Sequence, residues 1–172
     1  MALYAERGFD DTTVAQIAER AGLTERTFFR HFRDKREMLF GGAGALQDLL
    51  VGAVADAPAA ASPIEAVAVA LDAVGAMFAD RREFAIVRQS IIMGSVELQE
   101  RELIKMATLA AAVADALRGR GVDDPAAGLT AEVAIAVFRV AFERWVGTAD
   151  GRDLTRHMRE GLAELRSVTS AG

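Results

Sequence analysis

Apolar positions recur at helical spacing along nearly the whole chain, and no run of strict apolar/polar alternation is long enough to nominate a strand. Val14, Ile17, Ala18 and Ala21 form one such stripe; Leu154, Met158, Gly161, Leu162, Leu165 and Val168 form another. Thr130–Val146 is apolar over most of its circumference, with Glu132, Arg139 and Glu143 confined to one narrow line. A helix of that kind has to be covered on more than one side. Helix starts are marked by a capping residue with Glu three positions later, in Asp34-x-x-Glu37, Ser62-Pro63-x-Glu65 and Asp80-x-x-Glu83, with Thr13-x-x-Gln16 a variant. Asp124-Pro125 offers a cap before a proline at the first helical position. Gly8, Gly22, Gly94 and Gly121 stand where helices would stop. These signals predict an all-α chain of about nine helices, over 1–7, 13–21, 24–31, 34–55, 63–80, 82–93, 96–119, 125–148 and 153–167.

Composition agrees with helices and removes several kinds of chemistry. An apolar fraction of 52% with only 6% aromatics means a core built mostly of Ala, Val and Leu. No cysteine occurs, which excludes disulfides, thiolate metal sites and cysteine nucleophiles. With two histidines, no Gly-rich phosphate loop and no paired carboxylates on one helix, no catalytic site, metal site or cofactor is expected. The apolar stretches Val67–Ala79 and Ala107–Ala114 are interrupted by Asp72 or too short to cross a bilayer, and no N-terminal signal pattern is present. A cytoplasmic protein with no membrane partner is expected. The 172 residues suit a small module, 1–45, followed by a larger helical domain, 46–172, with Ala55–Pro63 the most linker-like segment. Net charge is −5, yet residues 1–45 carry seven acidic and seven basic side chains, so the acidic excess lies wholly in the second part.

The stretch Thr24–Leu39, TERTFFRHFRDKREML, gathers five Lys/Arg side chains, a histidine and three phenylalanines. Phe28 and Phe32, at i and i+4, point to one side of a helix as core partners, while Arg26, Arg30 and Arg33 point to the other. Phe29 falls between the two faces. Helix 13–21, the turn at Gly22-Leu23 and helix 24–31 form a helix-turn-helix arrangement whose second helix would enter the DNA major groove. Thr24, Glu25, Arg26 and Thr27 are then placed to reach base edges or phosphates, and Lys35 beside the start at Asp34 to hold a phosphate. Pattern alone leaves open an ordinary αα-hairpin with a solvated face.

The segment Gly8–Leu39 resembles the DNA-binding segment of the tetracycline-repressor (TetR) family of bacterial transcriptional regulators. It meets that pattern at Gly8, Phe9, Thr12, Thr13, Ile17, Ala18, Ala21, Gly22, Thr24, Thr27, Phe29, His31, Phe32 and Lys35. The resemblance implies that Thr13 caps helix 2 near a phosphate and that Thr24 caps the recognition helix. Arg26 and Thr27 would face the groove with Glu25 beside them and Arg30 on the same side. His31 and Lys35 would bind the DNA backbone. Phe29 stands where the family usually has a tyrosine whose hydroxyl binds phosphate. Of the family's first helix, Ala2, Leu3, Tyr4, Glu6 and Gly8 supply only the last part, so helix 1 is expected to be shortened.

For the larger domain the resemblance implies a helical bundle that dimerises and binds a small effector. Arg82–Gly121 looks similar to C-terminal domains of actinobacterial regulators of the mycofactocin type, which suggests an apolar effector. Pocket candidates are Met77, Phe78, Phe84, Val87, Ile91, Met106, Phe138, Phe142 and Trp145, with Arg88 and Gln89 as polar anchors. A homodimer is expected through the last two helices, at Val133, Val137, Val140, Leu154, Met158, Gly161, Leu162 and Leu165. The expected function is that of a dimeric, sequence-specific DNA-binding regulator, a repressor released by its effector, and not an enzyme. The alternative is a dimeric ligand-binding or scaffold protein whose shortened helix 1 has cost it DNA binding.

Overall fold

Short helices fill the first forty residues and long helices most of the rest. The computed structural model describes Met1–Ser170; the end of the expected second domain, residues 171–172, lies outside the described residues. Among the described residues there are ten helical segments and no strand: α1 (Ala2–Arg7), α2 (Val14–Arg20), α3 (Glu25–His31), α4 (Glu37–Phe40), α5 (Ala43–Ala55), α6 (Pro63–Met77), α7 (Arg82–Met93), α8 (Val96–Gly119), α9 (Ala126–Gly147) and α10 (Leu154–Ser170). The single helix expected over 34–55 is interrupted at Gly41-Gly42, leaving α4 as one turn ahead of α5.

Predicted caps stand at several of the starts. Thr13 and Gln16 form a reciprocal capping box at α2. At α4, Asp34 Oδ1 accepts from Glu37 N at 3.0 Å while Glu37 Oε2 accepts from Arg33 N at 2.5 Å. At α6 the Glu65 carboxylate takes both the N–H and the O–H of Ser62, ahead of Pro63. The α9 start differs from expectation: the Asp124 carboxylate is held by Arg118 at 2.9 and 3.0 Å, so Pro125 occupies the N-cap position without a side-chain cap. Gly8 and Gly22 end the first two helices with φ of 84° and 67°, a backbone region that side chains with a Cβ resist.

The chain forms two compact units. The first contains Met1–Gly44 and Glu83–Ile104; the second contains Ala45–Arg82 and the described residues from Lys105 on. The expected division at residue 45 therefore misses that α7 and the first part of α8 belong with the N-terminal helices. The core of the first unit shows why: Leu3, Tyr4, Phe9, Ile17, Ala18, Phe28, Leu39 and Phe40 form one cluster with Ile91, Ile92 and Leu98. Polar bonds reinforce it. Arg88 donates to Leu39 O at 2.8 Å, pairs with Glu102 at 2.7 Å and lies over the Phe40 ring.

In the second unit α10 packs on α9 and α6, and α6 on α9. Leu154, Met158 and Leu162 are buried there, at 1, 0 and 6% exposure, and Val137 is buried as well. These four of the expected dimer-interface residues are thus core of the single chain. The α10 stripe does have a partner, but that partner is its own α6 and α9. Arg120 gathers the carbonyls of Val54, Ala55, Ala57 and Pro58, closing the C-terminal end of α5. Arg82 does the same at the end of α9, donating to Trp145 O at 3.2 Å and to Thr148 O. The run Glu37–Ala55 is long and apolar enough, by length and composition, to cross a membrane. In the fold its apolar residues Leu46, Leu50 and Val54 are buried.

Candidate nucleic-acid interface

Two short helices with a four-residue connection, Ala21 to Thr24, set the geometry of the N-terminal surface. The α2 stripe turns Ile17 and Ala18 inward. After Ala21, Gly22 N–H donates to Glu19 O, and Leu23 N–H reaches back to Ala18 O at 2.8 Å. That turn delivers Thr24 as the N-cap of α3, its hydroxyl accepting from Thr27 N at 3.2 Å. The two threonine hydroxyls also bond each other at 3.1 Å.

Phe28 then anchors α3 in the core, with Phe32 against it at 5.2 Å between ring centroids. Opposite them Glu25, Arg26, Phe29 and Arg30 are exposed. Among the described residues the Arg26 guanidinium has no hydrogen bond or ion pair, while Arg30 leans on His31 Nε2 at 3.4 Å. Phe29 is 52% exposed and meets Phe28 edge to face at 5.5 Å. A ring of this size left half in water beside arginines is a surface feature that core packing does not explain. Thr13, Thr24, Glu25, Arg26, Phe29, Arg30 and His31 are all on the surface, with Thr27 partly covered.

Lys35 is the exception among the expected DNA contacts. Its ammonium faces inward, donating to Phe9 O at 2.7 Å, Thr12 O at 2.9 Å and Asp10 O at 3.3 Å. The ammonium expected at a phosphate is thus engaged by an internal clamp, in which the α1–α2 turn presents three carbonyls to one point. Arg36, beside it, is engaged by Asp34 and by Glu97 at 2.5 Å. Its guanidinium, bonded to Asp34, holds that carboxyl below the usual range.

Tyr4 reads in the sequence only as a fragment of the first helix, yet it ties the module together. Its ring is buried 5.3 Å from that of Phe9, and its hydroxyl donates to Lys35 O at 2.7 Å. Burial, with a smaller contribution from Asp34, pushes the phenol up from 10.0 to about 12. The folded value lies above the unfolded one, so this contribution to stability is complete below pH 10 and is lost as pH rises from 10 to 12. Tyr4 is the only tyrosine, so phenolate absorbance reports it alone. The expected midpoint is near 12 in the folded protein and near 10 in urea; equal midpoints would show that the hydroxyl is not enclosed.

The expected effector residues divide between the two units. Phe78, Phe138, Phe142 and Trp145 meet in the second, with centroid separations of 5.8 to 6.4 Å. Met77 and Met106 belong to the same unit. Phe84, Val87, Arg88, Gln89 and Ile91 belong to the first. Of these, Ile91 is core and Arg88 is committed to Leu39 and Glu102. Of the expected dimer residues, Val140 is exposed, and Val133, Gly161 and Leu165 are partly covered.

Comparison with known proteins extends over both units. Residues 1–41 match the family described as bacterial regulatory proteins, tetR family, and residues 61–170 match the family described as the MftR C-terminal domain. Over 72 residues the chain is 38% identical to the HTH-type transcriptional regulator TcmR of Streptomyces glaucescens. That stretch is 42% of this chain and only 32% of TcmR. Among solved structures, Thermus thermophilus FadR, a TetR-family transcriptional repressor in complex with lauroyl-CoA, aligns over 96% of this chain and 88% of its own, with a TM-score of 0.61 and 20% identity. PfmR, a TetR-family transcriptional regulator also from Thermus thermophilus, aligns over 94% and 91%, with a TM-score of 0.53 and 20% identity. At these identities both likenesses are of fold.

Proposed function

Because the chain belongs to the tetR family of bacterial regulatory proteins, with a C-terminal domain of the MftR type, we propose that it is a cytoplasmic repressor that binds operator DNA as a homodimer and leaves it on taking up an apolar small molecule. The observation that carries this reading is the exposed side of α3. Among the described residues Arg26 there has no hydrogen-bond or ion-pair partner, and Phe29 is half in water beside it, while Phe28 on the other side holds the helix in place. Residues 1–45 have no net charge, so binding rests on this local face rather than on a basic domain. Thr13 and Thr24, each capping a helix start, would meet phosphates, and Glu25, Arg26, Thr27 and Arg30 base edges or backbone.

In a homodimer two α3 helices would lie about 34 Å apart, one turn of DNA, on a near-palindromic site. The surface left for pairing on α9 and α10 includes Val133, Val140 and Leu165. For the effector, the cluster of Phe78, Phe138, Phe142 and Trp145 offers an apolar lining, and the lauroyl-CoA of FadR suggests a fatty-acyl type of ligand. An effector that prefers a different head spacing would weaken DNA binding through a coupling of about 1–3 kcal/mol.

Selection of bound duplexes from a random-sequence pool, followed by fluorescence polarisation at several salt concentrations, tests the DNA-binding reading. A pseudo-palindromic consensus with salt-dependent affinity is expected; no enrichment and no salt-dependent binding would sink it. On the selected duplex, Phe29→Tyr should keep or tighten affinity by restoring a phosphate-bonding hydroxyl. Phe29→Ala should loosen it about tenfold, as loss of an apolar contact of about 1–2 kcal/mol does. An unchanged affinity for Phe29→Ala would mean the ring touches nothing.

A further inference from the structure

The chain uses eighteen arginines and two lysines, Lys35 and Lys105, so a lysine in the N-terminal module is a choice against the prevailing cation. We propose that Lys35 is a positioning residue of the DNA-reading module: it fixes the α1–α2 turn, and through it Thr13 and the start of α2, and makes no phosphate contact itself. This rests on the DNA-binding reading above.

An ammonium has three donors, and here three carbonyls converge on it, at 2.7, 2.9 and 3.3 Å. Nζ also lies 4.2 Å from the centroid of the Phe9 ring, the attractive face for a cation. A compact point charge with rotatable donors fits a convergent cage, whereas a planar guanidinium fork suits dispersed acceptors. Arg120, which reaches four carbonyls strung from Val54 to Pro58, illustrates the second geometry.

The clamp is closed from the other side. Tyr4 donates to the carbonyl of Lys35 itself, so the same residue is gripped by α1 through its main chain and grips the next turn through its side chain. Thr12, fully buried, bonds Gly8 O through its hydroxyl at 2.6 Å while its carbonyl goes to Lys35. Thr13 follows at once as the N-cap of α2. Reaching a phosphate would require Lys35 to release all three carbonyls, and with them the segment that places Thr13.

Two measurements test this. Lys35 and Lys105 fall in different tryptic peptides, so acetylation rates can be followed separately by mass spectrometry. Lys35 should react at least tenfold more slowly in the native full chain than in urea; equal rates would show an open ammonium and overturn the proposal. On the selected duplex, each phosphate neutralised contributes about 0.9 to the slope of log affinity against log salt. Lys35→Met should lose about tenfold in affinity with the wild-type slope retained, and Lys35→Arg should lose similarly despite keeping the charge. A slope lower by about 0.9 in Lys35→Met, with wild-type affinity in Lys35→Arg, identifies a phosphate contact and overturns the proposal. Should Lys35→Met not fold, the acetylation rate and Lys35→Arg decide. If the wild-type protein binds no selected duplex, the DNA-binding reading fails instead, and slow native labelling still separates an enclosed ammonium from an open one.

Discussion

Gly75→Ala should destabilise the second unit by about 2 kcal/mol and lower the melting temperature by about 4–8 °C. Gly75 lies inside α6, where glycine by itself costs about 1 kcal/mol relative to alanine, so propensity alone predicts the opposite sign. Packing decides otherwise. A Cβ at this position would stand 2.9 Å from the Cα of Thr155 on α10 and closer still to its Oγ1. The hydroxyl can rotate away, but the Cα is backbone, so α6 and α10 must separate along a contact that buries Val74, Leu154 and Met158. Gly52 in α5 is the internal control, since a Cβ there meets nothing within 4 Å. Gly52→Ala should raise stability by about 0.5–1 kcal/mol. Thermal unfolding reads both; a stabilised Gly75→Ala would mean that the two helices do not cross here.

The same glycine shows where sequence reasoning stops. Within "ALDAVGAMF" it carries no signal, because close approach is set by a residue eighty positions away. Local features fared better: the capping pairs at Thr13, Asp34 and Ser62 and the glycine stops at Gly8 and Gly22 act within a few residues, and the helices begin and end close to them. The Phe28/Phe32 pair and the outward arginines of α3 are readable for the same reason.

Periodicity, by contrast, shows that a face is covered without saying by what. The Leu154–Met158–Leu162 stripe reads as an intermolecular seam when too few helices seem available to cover it, yet α6 and α9 of the same chain do so. Charged residues whose partners are carbonyls leave even less trace. Lys35 sits in a basic stretch and Arg88 in an apolar one, so the first resembles a surface cation and the second a polar anchor. Both are bonded to main-chain oxygens, which every residue has. The membership of α7 in the first unit is hidden likewise, since Ile91 and Ile92 lie some fifty residues beyond Leu39 and Phe40.

Arg26→Ala should weaken binding to the selected duplex by about 1–3 kcal/mol, roughly five- to 150-fold, and relax the consensus at one base step. The cations in and next to α3 differ in their surroundings. Arg36 is held by Asp34 and Glu97, Lys35 by three carbonyls, and Arg30 leans on His31. Arg26, in contrast to these three, has no partner among the described residues, and it stands in the first turn of α3, the part that reads base edges when such a helix enters the major groove. Beside it the Thr24 and Thr27 hydroxyls are bonded to each other, which leaves the guanidinium as the strongest donor at that end. Its fork matches the paired acceptors of guanine, so loss of the side chain should cost affinity mainly on duplexes that carry the preferred base. Arg36→Ala, by comparison, should lower the melting temperature while leaving the salt slope unchanged. Repeating the duplex selection with Arg26→Ala separates base reading from plain charge. A relaxed position in the consensus is expected; the same consensus recovered at uniformly lower affinity would make Arg26 a phosphate contact and leave the reading of bases to Glu25, Thr27 and Phe29.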